Sequence, residues 1–428
     1  MKKTLLCLAL CALVTPLTGC SSIAKGVTEA IMEKKDNAED TRLCEIAGPA
    51  FDGIEDSVAH KAVTGTPGTT KVLMVHGISK HLPGYSARLR EKLAASLGLD
   101  SMDPTIKDIT LTNAPDGGED AGTLRVSRHF SSTSDREFLF YELTWSGIGE
   151  MDKEVIAFDD SEAYNYRRAG LNKSLKRFMN ATVPDLLVYE GLKKGLIDKS
   201  VGQSVCWAFR GSWDSMPDKG RHYCNAYDNS IATNIKQDDF YIITHSLGSR
   251  ITIDTLNRFA ADRENCDECK KLDGLNATLQ NETITVFMMA NQLPLLQVGQ
   301  EKSGTTGVTD QYCQPNGTHY NERLVGKVRI VAFSDPNDIL SYPIPPDYAD
   351  SYIDSRYCPE IINIDMNIAH PKDLLGVTEF ANPLEAHVGY QDDDRVIALM
   401  TNGLNRDRMN PLIAEKCNWT EYAVKQKK

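Results

Sequence analysis

Ser246 lies in the run Tyr241-Ile242-Ile243-Thr244-His245-Ser246-Leu247-Gly248-Ser249. A short apolar stretch meets a small-residue turn there, and an amphipathic run follows (Ile251, Ile253, Leu256, Phe259). A strand that turns sharply into a helix in this way presents a serine hydroxyl above a sheet, the arrangement called a nucleophile elbow. A serine made reactive at such a turn performs acyl transfer, most often hydrolysis. The usual pattern is Gly-x-Ser-x-Gly. Thr244 occupies the first glycine position here, so the chemistry must find its partners elsewhere in the chain.

A serine hydroxyl is a weak nucleophile and needs a base, an acid that orients the base, and donors for the oxyanion. The acid belongs just past a late strand, where Val331-Ala332-Phe333-Ser334 runs into Asp335-Pro336-Asn337-Asp338. Asp338 falls where the turn has left the strand and can face back; Asp335 is the alternative acid, or a brace for the turn. Asp-Pro-Asn-Asp also shapes a turn without any catalysis. The base belongs after the last strand. His387, in Ala386-His387-Val388-Gly389-Tyr390, is favoured over His370, which ends that strand and reads as structural. The oxyanion donors expected are the backbone N–H of Leu247, next to the serine, and of Ile78, in His76-Gly77-Ile78 after an early strand. Gly77 permits the tight turn that aims the second donor.

The elements that must hold these residues alternate in type. Lys71 to Val75 reads as a buried strand, and Tyr85 to Leu99 as a helix with Leu89, Leu93 and Leu97 on one face. Asn113 to Thr123 reads as a Gly/Asp-rich loop and Phe138 to Trp145 as a strand. From about 147 to 236 the pattern is helical (Ala163 to Phe178, Leu186 to Leu196) with an aromatic loop and no clear strand, which reads as an inserted cap. Strands then recur at Phe240 to Ile243, Ile284 to Met289, Val328 to Phe333 and Ile361 to Ile368, and Val396 to Leu404 closes as a helix. The fold class expected is α/β, with a mostly parallel central sheet covered by helices on both faces. Trp145 and the aromatic insertion could line an acyl pocket or fill ordinary core.

Taken together, Val75-His76-Gly77-Ile78, Thr244-His245-Ser246-Leu247-Gly248, the Asp335 to Asp338 turn and His387-Val388-Gly389-Tyr390 resemble the α/β-hydrolase superfamily on its serine esterase and lipase side. The resemblance spans roughly residues 70 to 405, with the insertion outside the common pattern. It implies Ser246 as nucleophile, His387 as base and Asp338 as orienter, with no cofactor and no metal. Thr244 departs from the pattern: that position crowds neighbouring strand and helix, and threonine is at the upper limit of size there.

The N-terminus reads as an export signal: Lys2 and Lys3, an apolar run from Leu5 to Val14, then Leu17-Thr18-Gly19-Cys20. Its end resembles the bacterial lipobox, which implies removal of residues 1–19 and a lipid on Cys20. No aspartate follows the cysteine, which points to the outer membrane. Residues 20–60 are expected to be a tether and 61–428 the folded domain. Eight cysteines remain in the mature chain, an even number that suits disulfides in an oxidising compartment. We expect Cys206–Cys224, Cys266–Cys269, Cys313–Cys358 and Cys44–Cys417. Cys266-Asp-Glu-Cys269 suits a redox site poorly, because the acids raise the thiol pKa, and a zinc site would need a second pair. Asp392-Asp393-Asp394 suits a helix cap better than calcium. The formal net charge of −12 argues against nucleic acid as a partner. The expected partners are an ester or acylated envelope substrate and, through Cys20, a membrane. The leading expectation is a serine ester hydrolase; acyl transfer by the same serine and an inactive fold serving as an envelope interaction protein are the alternatives.

Overall fold

The fold is that of a computed structural model, which describes residues 42–58, 68–99, 101–103, 105–131, 136–161, 169–226, 228, 231–265, 272–302, 304–374 and 378–421. The export signal, Cys20 and the Cys266/Cys269 pair lie outside them.

Short runs rich in β-branched and aromatic residues form the centre of one twelve-stranded sheet. In chain order its main strands are β1 (Cys44–Ala47), β2 (Thr70–Val75), β3 (Lys107–Thr112), β4 (Asp120–Phe130), β5 (Glu137–Thr144), β6 (Lys219–His222), β7 (Asp239–His245), β8 (Thr283–Met289), β9 (Lys327–Ser334), β10 (Pro359–Met366) and β11 (Cys417–Thr420). The spatial order is β11-β1-β10-β9-β8-β7-β2-β5-β4-β3-β6. The strands from β5 through β2, β7, β8 and β9 to β10 all run parallel, and antiparallel pairings with β4 and β1 flank them.

Side chains alternate between the faces of a strand, and the core divides accordingly. Leu73, Val75, Ile242, Val286, Met288 and Ile330 pack on one face. Val72, Met74, Ile243, Phe287, Met289 and Val331 pack on the other. Helices α1 (Ala87–Ser96), α2 (Gly170–Glu190), α3 (Lys194–Arg210), α4 (Leu247–Asn265) and α5 (Asp394–Asn402) complete the frame. α3 and α4 bury Ile197, Val201, Ile251 and Leu256 against the first face; α1 and α5 bury Leu89, Leu93, Val396 and Leu399 against the second. The chain is therefore α/β, with a large, mostly parallel sheet covered on both sides.

The structure redraws several boundaries. Residues 44–58 belong to the folded body, not to a tether: Cys44, Ile46, Phe51, Ile54 and Val58 are core residues, and β1 pairs with both β10 and β11. The loop expected over Asn113 to Thr123 ends early, because β4 begins at Asp120. β3 and β4 went unread in the sequence: their buried apolar residues (Ile109 and Leu111; Leu124 and Val126) are spaced apart by polar and charged ones such as Thr110 and Arg125. The stretch 147–236 is not one helical cap. α3 is a covering helix of the sheet, and β6 pairs with β3 at the sheet edge. α2 also runs straight through Pro184, where propensity argues for a stop, because Val188 and Tyr189 beyond it pack on the body. Trp145 is buried core, stacked on His76.

Three of the expected disulfides are formed: Cys44–Cys417, Cys206–Cys224 and Cys313–Cys358, with Cα separations of 4.5, 5.9 and 5.3 Å. Among the described residues no helix is long and apolar enough to cross a membrane, and no group of metal-ligating side chains converges. Asp393 caps α5 and pairs with Arg395, while Asp392 and Asp394 pair with Arg88 and Lys92.

Candidate active site

β7 ends at His245, α4 begins at Leu247, and Ser246 is the single residue between them. Its φ of 55° lies in the left-handed region, so the turn is sharp and the side chain is thrown clear of both elements. The backbone holds this shape from two sides. Ser246 N–H donates to Met289 O at the end of β8 (2.9 Å), and Ser246 O accepts from Ser249 N–H (3.1 Å) and Oγ (2.7 Å).

Two glycines make the elbow sterically possible. A Cβ on Gly77 would lie 2.6 Å from Ser246 Cβ and 2.7 Å from His245 O. A Cβ on Gly248 would lie 2.4 Å from Val75 O. Thr244 pairs with Val75 on one side and Met288 on the other and is fully buried. Its hydroxyl has no hydrogen-bond partner among the described residues, so threonine fits in volume at the expense of one unsatisfied polar atom.

The three residues that chain order suggested meet. His387 Nε2 is 3.1 Å from Ser246 Oγ, and His387 Nδ1 is 2.8 Å from Asp338 Oδ2. Since the carboxylate can only accept, Nδ1 carries the proton and Nε2 is free to accept one from the serine. All three side chains are buried, Ser246 completely. Their supports differ in origin. His387 lies in the short helix Pro383–Val388, capped by Asn382. Asp338 lies in the turn after β9, where its second oxygen accepts the Leu340 N–H at 3.0 Å.

Asp335 does not face the histidine. It accepts the N–H groups of Asn337 (2.7 Å), Ile368 (2.7 Å) and Ala369 (3.1 Å), bolting the turn after β9 to the chain leaving β10. His370 is exposed.

Leu247 is the first residue of α4, so its N–H precedes the intrahelical ladder. It sits 3.1 Å from the point where a Cβ on Gly77 would stand, so the glycine and the amide share one side of the serine. Ile78 follows directly. Among the described residues neither Leu247 N–H nor Ile78 N–H has a protein acceptor. An anionic oxygen requires two such donors, and the Leu247 N–H and the Ile78 N–H, one residue beyond Gly77, are the candidates.

Three further histidines surround the site without entering the hydrogen-bond line. His245 Nε2 donates to His387 O (2.8 Å) and so pins the backbone of the base. Burial, with a smaller push from His387, holds the His245 imidazole down at about 3, so it stays neutral. His76 accepts the Trp145 N–H at Nε2 (3.1 Å), which leaves Nδ1 protonated to donate to Gly77 O (2.7 Å). Burial keeps its pKa well below the usual imidazole range. His81 Nε2 donates to Ile78 O (3.1 Å). The sequence marks His76 only as a strand end and His245 only as part of the elbow; neither bracing role has a local signal.

An apolar cavity of about 230 Å³, lined in part by Phe240, Ile284, Leu275 and Leu324, opens at the N-terminal ends of the strands. Ser246 sits at their C-terminal ends, about 13–20 Å away along β7 from Ile242 and Phe240 at the usual rise per residue. That cavity is no acyl pocket for this serine. Comparison with family models, with curated proteins and with solved structures yields no match, so the functional reading stands on the geometry described above.

Proposed function

We propose that this chain is a serine hydrolase acting on carboxylic esters, built on the α/β-hydrolase plan. The observation that carries the reading is the continuous line from Ser246 Oγ through His387 to Asp338, at 3.1 and 2.8 Å. In the reaction, Ser246 Oγ attacks the ester carbonyl carbon while His387 Nε2 takes the hydroxyl proton. Asp338 stabilises the imidazolium that results. The tetrahedral oxygen settles against Leu247 and Ile78 N–H, and collapse of the intermediate expels the alcohol, which receives its proton from His387. Water then attacks the acyl-enzyme by the same steps and frees the acid.

The proposed address is the bacterial outer membrane, facing the periplasm, through lipid on Cys20. The three disulfides favour an oxidising compartment, and an acylated envelope molecule is the proposed substrate. Purified full-length protein in detergent, given a series of 4-nitrophenyl esters of increasing acyl length, should release nitrophenol, and Ser246→Ala should release none. Adding an alcohol acceptor separates hydrolysis from acyl transfer by the product formed. Folded, oxidised protein with no turnover on any ester would overturn the proposal.

A further inference from the structure

The loop that carries Ile78 is tied to the inserted helix α2 by one side chain. Asp185, on α2, is buried, and its Oδ2 accepts the backbone N–H of Ser79 at 2.5 Å. Its other oxygen forms an ion pair with Lys153. Ser79 has φ of 86°, a left-handed conformation that is strained for any residue but glycine. A carboxylate is a strong acceptor for a backbone N–H, and such a charge-assisted bond can hold a backbone where it would not rest unaided.

Two consecutive peptide units are fixed in this way. The unit joining Ile78 to Ser79 is held at its N–H by Asp185 and at its carbonyl, Ile78 O, by His81. The unit joining Gly77 to Ile78 is held at its carbonyl, Gly77 O, by His76. In a trans peptide the N–H points opposite to the C=O, so fixing Gly77 O also aims the Ile78 N–H. His76 and His81 belong to the same stretch of chain as Ile78. Asp185 arrives from 106 residues away on a separate element, seated where Val188 meets the backbone of Gly149 and where Tyr189 donates to Asp254 at 2.8 Å.

We propose that Asp185 is a positioning residue for acyl transfer at Ser246: by holding the Ser79 amide it fixes the peptide adjoining the one that carries the Ile78 donor, so the oxyanion geometry is tightened while α2 is seated. This rests on the serine-hydrolase reading, and it makes the seating of α2 a control on the rate of chemistry. The contact acts on the transition state and not on the resting ester. Its loss lowers kcat and leaves KM nearly unchanged.

The test uses the full-length protein in detergent and the variants Asp185→Ala and Asp185→Asn, the second keeping shape and an acceptor oxygen should the first fail to fold. Three quantities are read: kcat and KM on the best ester, inhibition by an alkyl boronic acid whose serine adduct places an oxygen in the oxyanion position, and hydrogen exchange at the Ser79 amide. For Asp185→Ala the expected result is a fall in kcat of about 10- to 100-fold, since removing a whole donor costs about 10²- to 10³-fold. KM stays within about 3-fold, boronate affinity falls in parallel with kcat, and Ser79 exchanges faster. Asp185→Asn recovers most of each. Unchanged Ser79 exchange in Asp185→Ala overturns the tie itself. Faster exchange with unchanged kcat and boronate affinity overturns the positioning role. Wild-type protein that neither turns over esters nor reacts with a fluorophosphonate overturns the serine-hydrolase reading and this proposal with it, a failure visible before any change at Asp185.

Discussion

At Asp335 and Asp338, two aspartates three residues apart do different work because their oxygens face different groups. Asp338 spends one oxygen on His387 and the other on Leu340 N–H. Asp335 spends both on backbone amides of its own turn and of the chain after β10. Asp338→Asn should therefore leave the melting temperature within a few degrees and cut kcat by about 10²- to 10⁴-fold, since an amide there cannot support the imidazolium. Asp335→Asn should do the reverse, costing about 1–3 kcal/mol of stability through lost carboxylate–amide bonds and sparing most of kcat. Parallel kinetics and thermal melts on the two variants check this, and a larger kcat loss in Asp335→Asn would reverse the assignment. The triad could be read from residue type and chain order, because a serine at a strand end, an acid past a later strand and a histidine before the last helix form a pattern visible in one dimension. Asp185 and His245 could not, since their roles come from contacts with Ser79 and His387, 106 and 142 residues away. Thr244 was legible as a departure; that its hydroxyl has no partner among the described residues depends on what packs around it.

The elements divide by how much of each is buried. β2, β7, β8 and β9 are buried on both faces and appear in the sequence as mostly apolar runs, interrupted in β9 by Arg329. In β3 and β4, toward one edge, the apolar residues are separated by polar and charged ones, some of them buried (Lys107, Ser127, His129), so the apolar residues are spaced and easily taken for loop. The strands at the outer edges, β11 and β6, are four residues each, too short for any periodicity to register. α3 was not legible as one helix: the sequence pattern ends a helix at Leu196 and reads Trp207 as part of an aromatic loop, whereas Lys194–Arg210 is continuous and buries Cys206 and Trp207 against the sheet. The junction of β2 and α4 gives the strictest element-scale expectation. Gly77→Ala would drive a methyl to within 2.6 Å of Ser246 Cβ and 2.7 Å of His245 O, both held by strand and helix. Its cost is about 1–3 kcal/mol of stability from overpacking, with a loss of kcat larger than the change in KM. Denaturant melts with steady-state kinetics test this; wild-type kcat in the variant would mean that the loop does not approach the serine as described.

Over the whole molecule, neutral imidazoles enclosed in the fold make stability depend on pH. Burial holds His245 at about 3, and burial with the Arg90 charge holds His129 at about 4, against about 6.5 in an unfolded chain. Between those values the unfolded chain binds more protons, so this contribution is full above about pH 6.5 and is lost as pH falls toward 4 and 3. Asp198 opposes it. Burial raises that carboxyl to about 6, so the native state binds the extra proton, and its contribution is present at low pH and lost as pH rises through 6. Burial also lowers His76 and His81 and raises Asp365, so four histidines against two aspartates leave the balance acid-labile. The melting temperature should drop between pH 7 and pH 5, and His129→Leu, away from the site, should reduce the drop; a flat or rising profile would contradict it. On the proposed reading, the fold activates one serine among all the serines the chain contains. Intact full-length protein treated with a fluorophosphonate and digested for mass spectrometry tests that most directly. The expected result is a single adduct on the peptide containing Ser246, abolished in Ser246→Ala and strongly slowed in His387→Ala. No adduct, or one on another residue that survives Ser246→Ala, would contradict it.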